Sequence, residues 1–233
     1  MSINATNLAA AYDLTNRTAT SYVTGNISFV KGRLYMLTIR GRTATTAPLL
    51  STVTGGGNTW LLLETVNISN VSQYLYYCVA ASTTTATISF TPDGITSWTQ
   101  GGWIVDEFAN VSASPILQSE QNSDPNSHSS LTVTLAAFAG PNNVAYGAFS
   151  QNEDTAITPG SGFTGLGAAA ESVENVNRLR SMWRRGQDTS VDVTTATTAS
   201  DIFGVAVEIA VGDVERIGSF VINDMARGNI YYR

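Results

Sequence analysis

The sequence holds one cysteine and one histidine in 233 residues, and only 13% of its residues are charged. A lone cysteine, Cys78, excludes an internal disulfide and with it a small secreted module held by a disulfide frame. Cys78 lies in the apolar run YLYYCVA with no basic residue near it, the setting of a buried thiol rather than a reactive one. These few ligands leave no zinc spacing. No apolar run approaches the length of a membrane span. The opening MSINATNLAAAYDLTNR lacks the basic start and apolar core of a signal peptide, so none is expected. Lys and Arg are missing from a long middle: none occurs between Arg42 and Arg178. With a formal charge of −6 and no basic run interleaved with aromatics, the chain is expected to bind neither nucleic acid nor membrane.

What charge there is falls in blocks. Arg17, Lys31, Arg33, Arg40 and Arg42 form a basic beginning, and Arg178, Arg180, Arg184 and Arg185 form a second cluster. Between them lies an acidic body that includes Glu64, Asp106, Glu107 and Asp124. Single surface charges contribute little, but segregation of this kind suits contact between copies or with an acidic partner. Asn-x-Ser/Thr sequons at Asn26, Asn67, Asn70 and Asn110 are expected by chance in a chain so rich in these residues.

Short β-branched and aromatic runs dominate. RLYMLTIR, TWLLLETV, QYLYYCVA, TATISF, GWIVDEFANV, SLTVTLAAF, NVAYGAFS, TSVDVTT and IFGVAVEIAV read as strands, with RIGSFVI a further candidate. TGGGN, TPDG, NSDPNS, GPNN and TPGSG between them are turn signals. This spacing predicts an all-β, antiparallel β-sandwich of two sheets, with a barrel as the neighbouring architecture. Roughly 70% of the unfolded surface can be buried at this length, so no staple is required. YDLTNRTATSY is read as coil or a short helix. ESVENVNRLRSMWRR fits either period, and a strand with arginines on one face fits its surroundings better. No composition shift divides the chain. We expect a polar N-terminal arm over 1–20, one sandwich over 21–212, and a C-terminal extension over 213–233; either end packs on its own sandwich or reaches a neighbour, with packing the favoured option.

The motif WIVDEF (103–108) sets two carboxylates side by side. Successive strand residues face opposite ways, so Trp103, Val105 and Glu107 share one face and Ile104, Asp106 and Phe108 the other. Asp106 and Glu107 therefore cannot converge on one substrate atom, whereas a glycosidase needs two carboxyls facing across about 5–9 Å. Pairing of Glu107 with Glu64 or Glu208 from another strand stays open; each is read as a lone carboxylate at a strand end or on a solvent face.

Other chemistry is weaker still. His128, in the polar NSDPNSHSS, has no nucleophile-elbow partner motif and is read as a solvated loop residue. Asp124, Asn126 and His128 alternate as calcium-loop ligands do, without the glycine and distant glutamate of such loops. GSGFTG (160–165) matches the dinucleotide pattern by letter, with Asp188 downstream, but lacks a strand directly before it and a helix after it. No catalytic residue, cofactor or metal ligand is assigned.

Several stretches taken in order carry a resemblance: STVTGGGNTWLLLETV; GGWIVDEFANV followed by PILQSEQNS; LTVTLAAFAGPNNVAYGAFSQNEDTAITPGSGFTGLG; QDTSVDV; and IFGVAVEIA. Together they resemble a family of β-sandwich domains, related to concanavalin-like jelly rolls, common among structural proteins of tailed phages. The resemblance covers roughly residues 28–211. It implies that the W-x-V-x-E-F stretch is a core strand, and it transfers no catalytic residue because the family has no generic active site.

The resemblance implies a virion protein. The expectation is a non-enzymatic capsid decoration or cement protein, attached to major capsid or tail proteins through its arms and by self-association as a homo-oligomer. The alternative is a tail-associated adhesin binding host glycans, with Trp60, Trp98, Trp103, Tyr74, Tyr76 and Tyr77 as stacking candidates and Trp98, in GITSWTQGG, least committed to a core. A glycoside hydrolase or lyase built on Glu107 with Glu64 or Glu208 ranks behind both. Candidate contact residues are Arg17, Arg33, Arg40, Arg42, Trp98, Arg178, Arg180, Arg184, Tyr231 and Tyr232.

Overall fold

The computed structural model describes residues 2–13, 21–93, 98–126, 128–153, 155–170, 178–199 and 201–212. Among them are eighteen strands, β1 to β18 in chain order, and no helix. One five-stranded sheet runs β1 (Asn4–Asp13), β10 (Gln100–Ala109), β4 (Leu34–Arg42), β7 (Val71–Val79), β6 (Leu61–Ile68). The other runs β11 (Val111–Asp124), β18 (Ile202–Val211), β13 (Val144–Gln151), β16 (Arg178–Arg185), β15 (Thr164–Ala170). Three smaller sheets join β2 (Tyr22–Val23), β9 (Ile88–Pro92) and β5 (Leu50–Gly55); β3 (Ile27–Phe29) and β8 (Thr84–Ala86); and β12 (His128–Thr134), β17 (Ser190–Ala199) and β14 (Ile157–Pro159). Every pairing is antiparallel.

The expected antiparallel β-sandwich is present; the first large sheet carries two smaller sheets on its outer face and the second carries one. Sequence period explains which strand lies in which layer. In β4, Tyr35, Leu37 and Ile39 pack outward with Phe29, Phe90 and Trp98, while Leu34 and Met36 pack inward with Tyr146 and Val207. A strand covered on both faces reads as an unbroken apolar run. β12 has one covered face, so it alternates: Leu131 and Val133 are buried and Thr132 and Thr134 exposed. The sandwich therefore has three apolar seams, one between the large sheets and one under each outer layer.

The two halves of the chain repeat one topology. Strand orders 1-10-4-7-6 with 2-9-5 and 11-18-13-16-15 with 12-17-14 match position for position, leaving β3 and β8 as an addition to the first half. The ladders agree in register. Glu107 of β10 lies opposite Tyr35, which lies opposite Cys78; Glu208 of β18 lies opposite Ala145, which lies opposite Arg184. The halves meet reciprocally, with β1 against β15 and β6 against β11, as in the isologous interface of a symmetric dimer.

The N-terminal stretch packs on its own sandwich, the favoured option, and the correction is to the boundary: it supplies a sheet strand rather than an arm outside the domain. Asn4–Asp13 forms β1, paired with β10, and Ile3 is buried in the central seam. Polar Asn4, Thr6 and Asn7 concealed this strand, because an edge position requires few apolar anchors. Residues 14–20 of that arm and the extension 213–233, including the RIGSFVI candidate, lie outside the described residues.

Candidate functional site

Asp106 and Glu107 diverge as strand alternation requires, and neither reaches solvent freely. Asp106 is fully buried in the central seam. Its Oδ1 accepts from Asn7 Nδ2 at 2.9 Å and its Oδ2 from the Tyr146 hydroxyl at 3.0 Å. The Thr38 hydroxyl stands 3.3 Å from that of Tyr146 and completes a short relay. Burial pushes the Asp106 carboxyl up to about 6, opposed by hydrogen bonds from Ser181, Asn7 and Tyr146 and by the Arg180 charge.

Glu107 points into the outer seam of the first half. Tyr35 donates its hydroxyl proton to Oε2 at 2.6 Å, and Arg33 binds Oε1 at 2.6 Å. Burial first, then the Glu107 carboxylate, raise the Tyr35 phenol well above its usual value. Glu208 holds the equivalent place in the second half. Its Oε1 accepts from Asn143 Nδ2 at 2.6 Å and the Ala139 amide at 2.9 Å, and its Oε2 from Gln118 Nε2 at 2.6 Å. Arg33 and Asn143 each stand two residues before the ladder partner of their glutamate. The lone-carboxylate expectation is thereby corrected: Glu107 and Glu208 are interior anchors that tie each central sheet to its flanking loop or strand.

Glu64 accepts from the Ser119 hydroxyl at 2.5 Å at the β6–β11 seam. Gln118 and Ser119 are neighbours on β11, so Glu64 and Glu208 lie on opposite sides of that strand. Glu107, Glu64 and Glu208 thus occupy three separate places, and the pairings that a glycosidase would need are not brought together.

The candidate contact residues disperse. Trp98 is corrected from a loop aromatic to a fully buried one, packed on Tyr22 and Phe90 at ring distances of 5.6 and 6.4 Å. Its indole N–H donates to Leu49 O, and Gly41 leaves the room that its ring fills. Trp60, Trp103, Tyr74 and Tyr76 are core residues as well. Arg40 is corrected from surface contact to buried strut: only 1% exposed, it donates to Asn152, which donates in turn to Asp201 at 2.6 Å. Arg33 is spent on Glu107, so part of the charge segregation is consumed inside the fold. Arg42 is half-buried at the end of β4. The expected arginine face of β16 forms, with Arg178, Arg180 and Arg184 alternating along one side; Arg184 stacks over Phe163 and pairs with Asp188. Arg17, Tyr231 and Tyr232 lie outside the described residues.

The motif-like segments resolve as turns. GSGFTG is the β14–β15 connection, a turn between strands with Gly162 in left-handed backbone, which supplies no helix for a phosphate. His128 opens β12, is exposed, and contacts Asp124 at 2.6 Å. Asp124 Oδ1 accepts the Asn126 amide, and this bond holds its carboxyl below the usual value. Among the described residues no group of three or more His, Cys, Asp or Glu is placed to hold a metal ion.

Among the described residues, the seam between the edge strands β6 and β11 carries two grooves, a feature not anticipated from the sequence. At one end a groove of about 430 Å³ is lined by Thr65, Asn67, Gln121, Asn122 and Ser123. At the other, a groove of about 320 Å³ is lined by Leu61, Tyr77, Val79, Pro115 and Ile116. Leu61, which lines this groove, is 47% exposed; Leu62 of β6 and Leu117 of β11, outside its lining, are exposed as well. Compared with known proteins, the chain matches no family model, no curated protein and no solved structure.

Proposed function

We propose that the chain is a non-enzymatic structural protein of a phage virion, a capsid decoration or cement protein that acts through shape and contact surface. The observation that carries its non-enzymatic part is the fate of the WIVDEF acids. Asp106 and Glu107 run into different seams and are held by interior donors. A catalytic carboxylate must instead reach a reacting atom in a cleft. The virion part is supported by the ordered resemblance of residues 28–211 to sandwich domains of tailed-phage structural proteins. Three buried seams make a rigid block whose recognition falls to its edges and surface charges. Attachment and self-association then use the β16 arginine row, the β6–β11 seam and segments beyond the described residues. Mass spectrometry and cryo-electron microscopy of purified particles test this: the chain is expected in stoichiometric amount as density on the particle surface. Its absence from particles, or glycan hydrolysis abolished by Glu107→Gln, overturns it.

A host-glycan adhesin keeps one specific support. The groove at Thr65, Asn67, Gln121, Asn122 and Ser123 presents amides and hydroxyls, the donors and acceptors that sugars use. Titration with glycans is expected to perturb these residues under this reading. Trp98 is excluded from it by burial.

A further inference from the structure

A charge drawn into a fold is ordinarily matched by an opposite charge or by hydrogen bonds. Most described arginines follow that rule: Arg33 binds Glu107, Arg40 binds Asn152, Arg184 pairs with Asp188, and Arg185 donates to Ile3 O and Asn4. Arg180 makes no hydrogen bond or ion pair with a described residue, and its Nε is buried without an acceptor among them. The acid that senses its charge is Asp106, whose two oxygens already accept from Asn7 and Tyr146. The place of Arg180 is nonetheless built. Its guanidinium lies across Gly165 of β15, where a Cβ would stand 1.7 Å from Nη2, so any other residue there would displace it. Beside that seat β15 is bulged between Gly165 and Ala168. Gly162 makes similar room for Arg184. Two glycines of GSGFTG thus seat two arginines, a role unrelated to the dinucleotide pattern.

Arg180 and Arg178 line a recess of about 80 Å³ between β14 and the β15–β16 pair, walled by Ile157, Ala168, Ala169 and Leu179. That is the liquid volume of about two to three waters, far below the roughly 300–1,000 Å³ of a small-molecule pocket. It admits one functional group whose carrier stays outside. We infer that the recess is a socket for one carboxylate on a short hydrocarbon stem, a glutamate or aspartate side chain presented by a partner protein. The planar guanidinium fork matches a carboxylate, and a partly dehydrated cation attracts it more strongly than a fully hydrated one. The apolar walls suit the methylene stem, whereas a phosphate would press further charged oxygens against the hydrocarbon of Ile157, Ala169 and Leu179. Arg178 at the wall and Arg184 along the row add positive potential that steers an acidic surface toward the socket. The inference deepens the attachment reading above and rests on it for the partner being a virion protein. Its chemistry is tested on the isolated chain, so failure here and absence of the chain from particles are separate results.

N-acetylglutamate amide, propionate and inorganic phosphate are titrated in turn against the full chain, with backbone amide shifts read by NMR. N-acetylglutamate amide is expected to give saturable shifts centred on Ile157, Ala168, Ala169 and Arg180. Arg180→Gln is expected to weaken its binding at least about tenfold, the effect of losing one charge-assisted pair. Gly165→Ala keeps every charge and is expected to weaken binding by a similar factor, because it displaces the guanidinium. Lys31→Gln removes one positive charge elsewhere and is expected to leave binding unchanged. No saturable binding by the wild type overturns the inference, whatever the variants do. So does an equal loss in Lys31→Gln, which assigns the effect to overall charge, or tighter binding of propionate or phosphate, which assigns the recess to a free anion. Binding that appears only in Glu171→Gln/Glu174→Gln overturns it as well, because the chain then supplies its own acid.

Discussion

Tyr146 of β13 donates to Asp106 of β10 at 3.0 Å across the central seam, a bond from one half of the duplicated fold to the other. The carboxylate gives up water for three side-chain donors, Asn7, Ser181 and Tyr146. Burial still outweighs them, which is why its proton is held more tightly in the folded state than in the unfolded one.

Stability is therefore expected to fall as pH rises through Asp106. Folded Asp106 sits at about 6 against an ordinary 3.8, so its contribution is complete below the lower value and lost as pH climbs past the upper one. Asp106→Asn, which imitates the protonated carboxyl, is expected to stabilise the fold at pH 8 by on the order of 2–3 kcal/mol and to be near neutral at pH 4. Denaturant unfolding at both pH values checks this; equal differences at the two would refute it.

Glu208 faces three donors and Glu107 two. A glutamine amide at 208 turns its NH₂ toward a donor inside the fold, an unsatisfied clash costing about 2–3 kcal/mol. At 107 the lost partner is Arg33, whose side chain is 40% exposed and recovers water. Glu208→Gln is expected to shift the urea midpoint more than Glu107→Gln, whose cost is about 1 kcal/mol. The reverse order would show that the two anchors are not held as described.

Arg40 and Asn152 join β4 of the first half to the loop after β13 of the second. A double-mutant cycle of Arg40→Ala and Asn152→Ala is expected to return a coupling of about 1–3 kcal/mol, because the guanidinium is buried and its hydrogen bond is charge-assisted. Additive effects in that cycle would place Arg40 outside any cross-half network.

Gly41→Ala is expected to destabilise the first half by about 1–3 kcal/mol through overpacking. Its Cβ would stand 2.8 Å from Trp98 ring carbons, and that ring is fixed among Tyr22 and Phe90. Thermal denaturation checks the size of the loss, and loss of the fixed-indole near-UV signal at a temperature where wild type keeps it locates the damage.

Cys78 is the fifth test. Burial pushes its thiol up to about 12, so a thiol reagent at pH 8 is expected to label it only as fast as the fold opens. Labelling of the native chain at the rate of a free thiol would show that Cys78 is reachable from the adjoining groove.

The two carboxylates of WIVDEF were separable from sequence because alternation in a strand is local: backbone geometry sends neighbours to opposite faces whatever surrounds them. The arginine face of β16 was legible for the same reason. Burial was not. Trp98 lies beside a turn-rich segment, yet the room at Gly41, far away in sequence, draws its ring into the core. Arg40 looks like any basic residue of a polar beginning until Asn152 is placed against it. β1 and β11 escaped notice or emphasis because an edge strand with one wet face needs few apolar residues. The duplication did leave a trace, Glu107-Phe-Ala and Glu208-Ile-Ala, but three residues cannot distinguish a repeat from ordinary sheet sequence.

The sequence by itself determined the antiparallel β class, the direction of each side chain along most strands and the seclusion of Cys78, all consequences of period and composition within a few residues. Only tertiary structure decided that two equivalent sheet systems stack with their acids turned inward and that β6 meets β11 at a grooved seam. Those outcomes depend on which distant strands pair and cover one another, a contest among long-range contacts that no short window of residues records.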